Sequence, residues 1–202
     1  MGAAALWINE TFHGLDWGLL GAVHSVQQSG ADTVLGPLAR LFDLLGAGGI
    51  GLILLGLVLL CFKKTRTAGA GVLGAIALGA LVTNLIVKPL IFRPRPYADV
   101  SSALHVWWLE AGANHESDAS FPSGHTTAAM AAFTAIFFLT KSRWRWTAFL
   151  FPLVMALSRL YLVVHYPTDV IAGIIIGFAA GLAAALIVRA VKKHRAQAHR
   201  TE

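Results

Sequence analysis

Five apolar runs, at residues 47–62, 68–92, 125–140, 146–164 and 168–188, leave this chain few ways to fold. A helix needs about 20 largely apolar residues to cross the hydrocarbon core of a bilayer. The second, fourth and fifth runs come near or reach that length; the first and third are short and need their flanks to complete a crossing. No water reaches the hydrocarbon to satisfy open backbone N–H and C=O groups, so such runs must be helices. Composition agrees: 13% of residues are charged and 56% are hydrophobic, against about 25% charged in a soluble domain. The expected fold is all-α, a polytopic transmembrane helix bundle.

Residues 1–46 read differently. Two helical patterns, at 11–28 and 32–45, are interrupted by Asp16, His24, Gln27, Gln28, Arg40 and Asp43. They are expected as amphipathic helices in the interface, with Trp7 and Trp17 as anchors. A short, irregular sixth span is the alternative for the first. The opening Met1-Gly2-Ala3-Ala4-Ala5-Leu6 has neither the basic start of a signal peptide nor the Ser or Thr of a myristoylation signal. The expected division is interfacial helices over 1–46, a membrane core over 47–192 and a basic tail over 193–202. The single cysteine, Cys61, gives no disulfide within the chain and no cysteine metal site.

Loop charge sets an orientation. Lys63, Lys64 and Arg66 follow the first run, Lys141, Arg143 and Arg145 the third, and Arg189, Lys192, Lys193, Arg195 and Arg200 the fifth. In a five-span chain these eleven share one side, expected to be cytoplasmic, with Trp144 and Trp146 at its interface. The acidic residues, Glu202 excepted, fall on the other side. This segregation argues against nucleic acid as a partner. Lys88, Arg93, Arg95 and Arg159 break the pattern on the acidic, outer side, where charge near hydrocarbon is a functional signal. Arg40 reads as a solvated charge.

Three stretches converge on that outer side. Lys88 and Arg93-Pro94-Arg95-Pro96 end the second run; Pro122-Ser123-Gly124-His125 opens the third; Ser158-Arg159 and His165-Tyr166-Pro167-Thr168-Asp169 link the fourth to the fifth. Pro122 is expected in the first turn of a helix, where its missing N–H costs nothing. Lys88, Arg95 and Arg159 supply cationic donors suited to phosphate oxygens, and Ser123 with the Gly124 backbone adds neutral ones. Asp169, four residues after His165, is placed to orient one imidazole nitrogen and leave the other free to attack. His125 would be the acid–base partner. Singly, each feature has an ordinary reading: a structural histidine, a snorkelling lysine or arginine, a stiff basic turn. His165 and Asp169 as a metal pair lack a third ligand at suitable spacing, and the cations nearby would repel a divalent ion.

These residues resemble a known signature. Lys88 and, six intervening residues later, Arg95-Pro96, then Pro122-Ser123-Gly124-His125, then Ser158-Arg159 with His165 and Asp169, are similar to the three-part motif of the type 2 phosphatidic acid phosphatases, the PAP2 superfamily. Every motif position is matched between Lys88 and Asp169. The resemblance implies a phosphatase that uses no metal or other cofactor and forms a phosphohistidine. It assigns His165 as nucleophile, Asp169 as its orienting partner, His125 as the acid, and Lys88, Arg95, Ser123, Gly124 and Arg159 as phosphate-binding residues. Arg93 lies outside the motif and is given only an electrostatic role. Membrane members of the family usually have six spans, one more than the five read here.

A site at a membrane edge fits a lipid phosphate or diphosphate, tail in the bilayer and head at the interface. Similar bacterial proteins act on undecaprenyl diphosphate, phosphatidylglycerol phosphate or phosphatidic acid, and the first, or a related isoprenoid diphosphate, is favoured. Residues 97–120 are expected to form a lid, with Trp107 and Trp108 dipping toward lipid. The alternatives are a phosphatase for a soluble ester, a vanadate-dependent haloperoxidase, and a non-enzymatic anion transporter.

Overall fold

The computed structural model describes residues 2–201, with side chains as far as Ala198. Glu202 and the side chain of Arg200, both counted above, lie outside the described residues. Among the described residues there is no strand.

Three helices lead in: α1 (Ala3–Thr11), α2 (His13–Val26) and α3 (Asp32–Gly46). Gly30, at φ 82°, turns the chain between α2 and α3. Gly48 and Gly49, at φ 56° and 71°, separate α3 from α4 (Ile50–Cys61). Two consecutive residues in the left-handed region suit glycine, which has no Cβ to clash. Next comes α5 (Arg66–Ala80), which widens into a π-helical segment, Leu81–Val87, and ends in α6 (Lys88–Ile91). Phe92, at φ 47°, stops it, and the Arg-Pro-Arg-Pro stretch follows.

The segment expected as a lid is partly ordered: α7 (Ala103–Glu110) lies within it, capped by Ser102. Trp108 is turned into the protein, contrary to the sequence expectation, and Trp107 is half-buried. The Trp107 ring stacks on His24 at 4.5 Å, and the buried Trp108 stacks on Tyr97 at 4.4 Å while its Nε1 donates to the Asn114 carbonyl. An indole with a ring partner and a satisfied N–H, as Trp108 has, gains more inside the protein than at the headgroups.

The bundle continues with α8 (Gly124–Leu139), α9 (Leu150–Tyr161) and α10 (Pro167–Thr201). Pro122 is not in the first turn of α8, as expected from sequence, because Ser123 is the cap and Gly124 the first helical residue. Pro167 does open α10. Helix α10 continues through the basic tail to Thr201.

Three helical stretches, His13–Cys61, Arg66–Ala98 and Pro167–Ala198, are long and apolar enough to cross a membrane, and Gly124–Leu139 is a shorter apolar helix. The first stretch is broken by its glycines, with α4 its most uniformly apolar part. Apolar side chains face outward along the bundle, among them Leu54, Val58, Leu85, Leu157 and Ile175. That belt is what a lipid-facing surface requires.

Helix α8 is central, packed on α5, α9 and α10. A close seam between α8 and α10 runs along glycines of α10. A Cβ on Gly177 would stand 2.5 Å from the Thr127 carbonyl oxygen, and one on Gly181 2.5 Å from that of Ala131. Only glycine lets the two backbones come this close.

The first two N-terminal helices meet the bundle at the end that holds the signature residues. Asn9 and Asp16 bond Arg93, and Gln27 Nε2 donates to the Tyr161 carbonyl at 2.6 Å. Trp17 meets Trp107 edge-on, while Trp7 is exposed. Helix α3 packs chiefly on α9. The Tyr161 hydroxyl donates to Asp32, Phe42 lies against Phe151, and Asp43 pairs with Arg159.

Candidate active site

The three signature stretches meet. Lys88, Arg95, Gly124, His125 and His165 line one cavity of about 350 Å³, whose inner wall is formed by Gly46, Gly48, Gly49, Ile76, Gly79 and Thr83. Asp169, Arg159 and Ser123 are fully buried beside these residues and do not themselves line the cavity. Local structure explains each position. Lys88 and Arg95 flank the stop at Phe92. His125 is in the first turn of α8. Val163, at φ 54°, reverses the chain after α9 and delivers His165 just before α10.

His165 is fully buried. Its Nδ1 lies 3.5 Å from Asp169 Oδ2 and 3.5 Å from Ser120 Oγ, and its Nε2 lies 3.3 Å from Arg95 Nη1. Contact with Asp169 is therefore longer than the direct hydrogen bond expected, because Ser120 donates to the same carboxylate oxygen at 2.5 Å. A carboxylate only accepts, so the Nδ1 side holds the ring hydrogen and the Nε2 lone pair faces the cavity. Burial, and then the charges of Arg95, Arg159 and Lys88, push the His165 pKa well below the ordinary histidine value. A neutral imidazole is the form that can attack phosphorus.

His125 Nε2 has no hydrogen-bond partner and stands 3.6 Å from Asp43 Oδ1. The Gly124 N–H belongs to the unpaired first turn of α8, which attracts anions. Ser123 also has a structural role. Its hydroxyl caps α8, accepting from Thr126 N and from Thr126 Oγ1 at 3.0 Å.

The three cup cations are already matched by carboxylates. Arg159 pairs closely with Asp43 and Glu116, and Lys88 with Asp118. Arg95 reaches Asp118 at 2.6 Å and Glu116 at 3.8 Å. Burial works against charge on Asp118, but Lys88 and Arg95 outweigh it and hold its carboxyl below the ordinary value. Sequence reading placed none of Asp43, Glu116, Asp118 or Ser120 in the site. In sequence, Asp43 reads only as part of the polar face of an amphipathic helix. Ligand atoms of Asp43, Glu116 and His125 lie within 4.8 Å of one another, a spacing a metal ion could use. The Arg159 guanidinium sits on both carboxylates, however, and competes with a cation there.

Arg93 is the largest change from expectation. It is 1% exposed and bonds Asp169, Asp16, Thr168 and Asn9. The arrangement as a whole joins a buried neutral imidazole, a second imidazole with an open nitrogen, and three cations around one small cavity. It suits attack on a phosphoryl group with stabilisation of the charge on its oxygens.

Comparison with known proteins agrees. Undecaprenyl-diphosphatase BcrC of Bacillus subtilis (strain 168) is 34% identical over 88 residues, covering 44% of this chain and 42% of BcrC. Bacitracin transport permease protein BcrC of Bacillus licheniformis is 39% identical over 69 residues, 34% of this chain and 33% of that protein. Each alignment thus spans less than half of the curated relative. Two crystal structures share the fold. A PAP2-type phosphatidylglycerolphosphate phosphatase from Bacillus subtilis superposes with a TM-score of 0.64 at 24% identity, over 95% of this chain and 91% of that one. LpxE of Aquifex aeolicus gives 0.61 at 23% identity, over 84% and 94%. The PAP2 superfamily profile itself matches residues 68–193, more than half of the sequence and all three signature stretches, and on that match the chain belongs to the PAP2 superfamily.

Proposed function

We propose that this protein is a metal-independent lipid phosphatase that hydrolyses an isoprenoid diphosphate, undecaprenyl diphosphate in the first instance, at the outer face of a bacterial membrane. His165 Nε2 attacks the terminal phosphorus, and the bond from phosphorus to the bridging oxygen breaks. His125 protonates the departing oxygen. Water then attacks the phosphohistidine, giving its proton to His125, and inorganic phosphate leaves. Lys88, Arg95, Arg159 and the Gly124 N–H hold the equatorial oxygens, while Asp169 keeps the His165 ring in place.

The observation that carries this reading is the placing of His165 and His125 on one cation-lined cavity that continues among helix residues such as Ile76, Gly79 and Thr83. A polar head and an apolar tail fit such a cavity better than a soluble ester does. The BcrC relative is named for the diphosphate, which favours it over phosphatidylglycerol phosphate and phosphatidic acid. Five spans with the site outward place the basic turns in the cytoplasm, and the contacts of α1 and α2 at the signature end support an interfacial rather than a spanning role for them.

Detergent-purified protein should release phosphate from undecaprenyl diphosphate faster than from phosphatidic acid or a soluble ester, and His165→Ala should abolish release. Phosphate release by that variant at the wild-type rate would refute the assignment.

A further inference from the structure

Arg93 lies outside the signature, yet its guanidinium makes four polar contacts in the interior. Its Nη1 donates to Asp169 Oδ1 at 2.6 Å and Thr168 Oγ1 at 2.7 Å, its Nη2 to Asp16 Oδ2 at 2.7 Å, and its Nε to Asn9 Oδ1 at 2.7 Å. The guanidinium carbon stands 3.8 Å over the Tyr166 ring. The Arg93 carbonyl accepts from the Ser120 N–H at 2.8 Å, and Ser120 Oγ holds the other oxygen of Asp169. Asp16 in turn accepts from Thr168 N at 2.9 Å and Thr168 Oγ1 at 2.8 Å, closing the first turn of α10. Side chains of Asp16, Arg93 and Asp169 are 2% exposed or less.

None of these groups lines the cavity. Arg93 is one shell back, on the far side of Asp169 from His165, and its fork is spent on that carboxylate and on Asp16. We propose that Arg93, held by Asp16 of α2, is a positioning residue for the nucleophile: it fixes the Asp169 carboxylate, and through it the ring orientation and tautomer of His165. Buried ion pairs of this kind are costly to form and costlier to break, and they serve geometry more than stability. A fork that bonds two carboxylates and a hydroxyl at once has no lysine equivalent. An orienting partner at one imidazole nitrogen fixes which nitrogen is free. The inference rests on His165 being the nucleophile, and its test separates the two.

Two variants divide charge from geometry. Arg93→Lys keeps the charge and loses the fork; Arg93→Gln loses both. In each, kcat for phosphate release should fall about 100-fold, the scale of a misplacement of about 1 Å at the reacting group. KM and the stoichiometry of vanadate binding should stay within about two-fold of wild type, because the cup is untouched. The acid limb of kcat should move to higher pH in Arg93→Gln alone. Without that cation, Asp169 draws a proton more strongly to itself and to His165, while the other groups facing the ring, Arg95, Arg159, Lys88 and His125, are unchanged. Asp16→Asn should slow the reaction less, and adding it to Arg93→Gln should slow it no further, since both act through one chain.

Wild-type kcat in Arg93→Gln, an unmoved acid limb in that variant, additive losses in the double variant, or vanadate sites lost in proportion to activity would each overturn the proposal. His165→Ala is the control. If it still turns over, the nucleophile assignment has failed; if it is inactive while Arg93→Gln is not, only the positioning role has.

Discussion

The backbone N–H of Ser123 donates to the carbonyl of Asp169 at 3.0 Å. This bond ties the turn before α8 to the first turn of α10, so the stretch bearing His125 and the stretch bearing His165 move as one piece. The seam continues along Gly173, Gly177 and Gly181. Spacing between the two imidazoles is therefore set by backbone contact.

That seam predicts a stability effect. Gly177→Ala puts a Cβ 2.5 Å from the Thr127 carbonyl, where only a shift of backbone relieves the clash. It should destabilise the protein by about 1–3 kcal/mol, the usual cost of overpacking. Thermal unfolding in detergent checks this, with Gly14→Ala, which meets nothing within 4 Å, as the control that should stay within about 1 kcal/mol.

Vanadate should inhibit, because its five-coordinate form copies in-line displacement, and EDTA should leave turnover unchanged. An anion entering the cup must displace Glu116 from Arg159. Glu116→Gln, which removes that competing charge, should tighten vanadate inhibition about ten-fold, equivalent to about 1.4 kcal/mol. Inhibition by EDTA that is reversed by a divalent metal would make Asp43, Glu116 and His125 a metal site instead.

Stability should depend on pH through His165. Its folded pKa lies well below 6.5, the value of the unfolded chain. Below about pH 6.5 the unfolded state therefore binds the proton and the folded state does not, and stability falls as pH drops. Above that value the group contributes no slope. Melting temperatures measured from neutral pH downward should decline, and His165→Asn should flatten the decline.

Orientation is checked with one cysteine. Ala113 is exposed on the segment between α7 and α8. In a Cys61→Ala background, which removes the one native thiol, also exposed, Ala113→Cys should react with a membrane-impermeant maleimide in intact cells. Labelling only after lysis would place the site in the cytoplasm.

Much of this site was legible in the sequence because its chemistry is carried by charge where charge is expensive. Lys88, Arg95 and Arg159 stood out against their apolar surroundings, and two histidines at opposite ends of helical runs completed the pattern. Asp16 and Asp43 gave the same signal more weakly. Each reads as the polar face of an amphipathic helix, and nothing local distinguishes a carboxylate in water from one on a buried arginine. The course of α3 was hidden for a related reason: its burial depends on α9, more than a hundred residues away. Trp108 misled because an indole near a predicted interface has two good destinations, lipid headgroups or another ring, and sequence does not say which ring is near.

Asp16 and Asp43 both precede the stretch, 68–193, that matches the superfamily. Their partners, Arg93 and Arg159, lie inside it. A chimera that grafts residues 68–193 behind foreign leading helices would inherit every signature side chain. It would also inherit two buried guanidinium groups, each stripped of a counter-ion. The phosphatase core and its lead-in are thus a matched set, exchangeable between homologues only together.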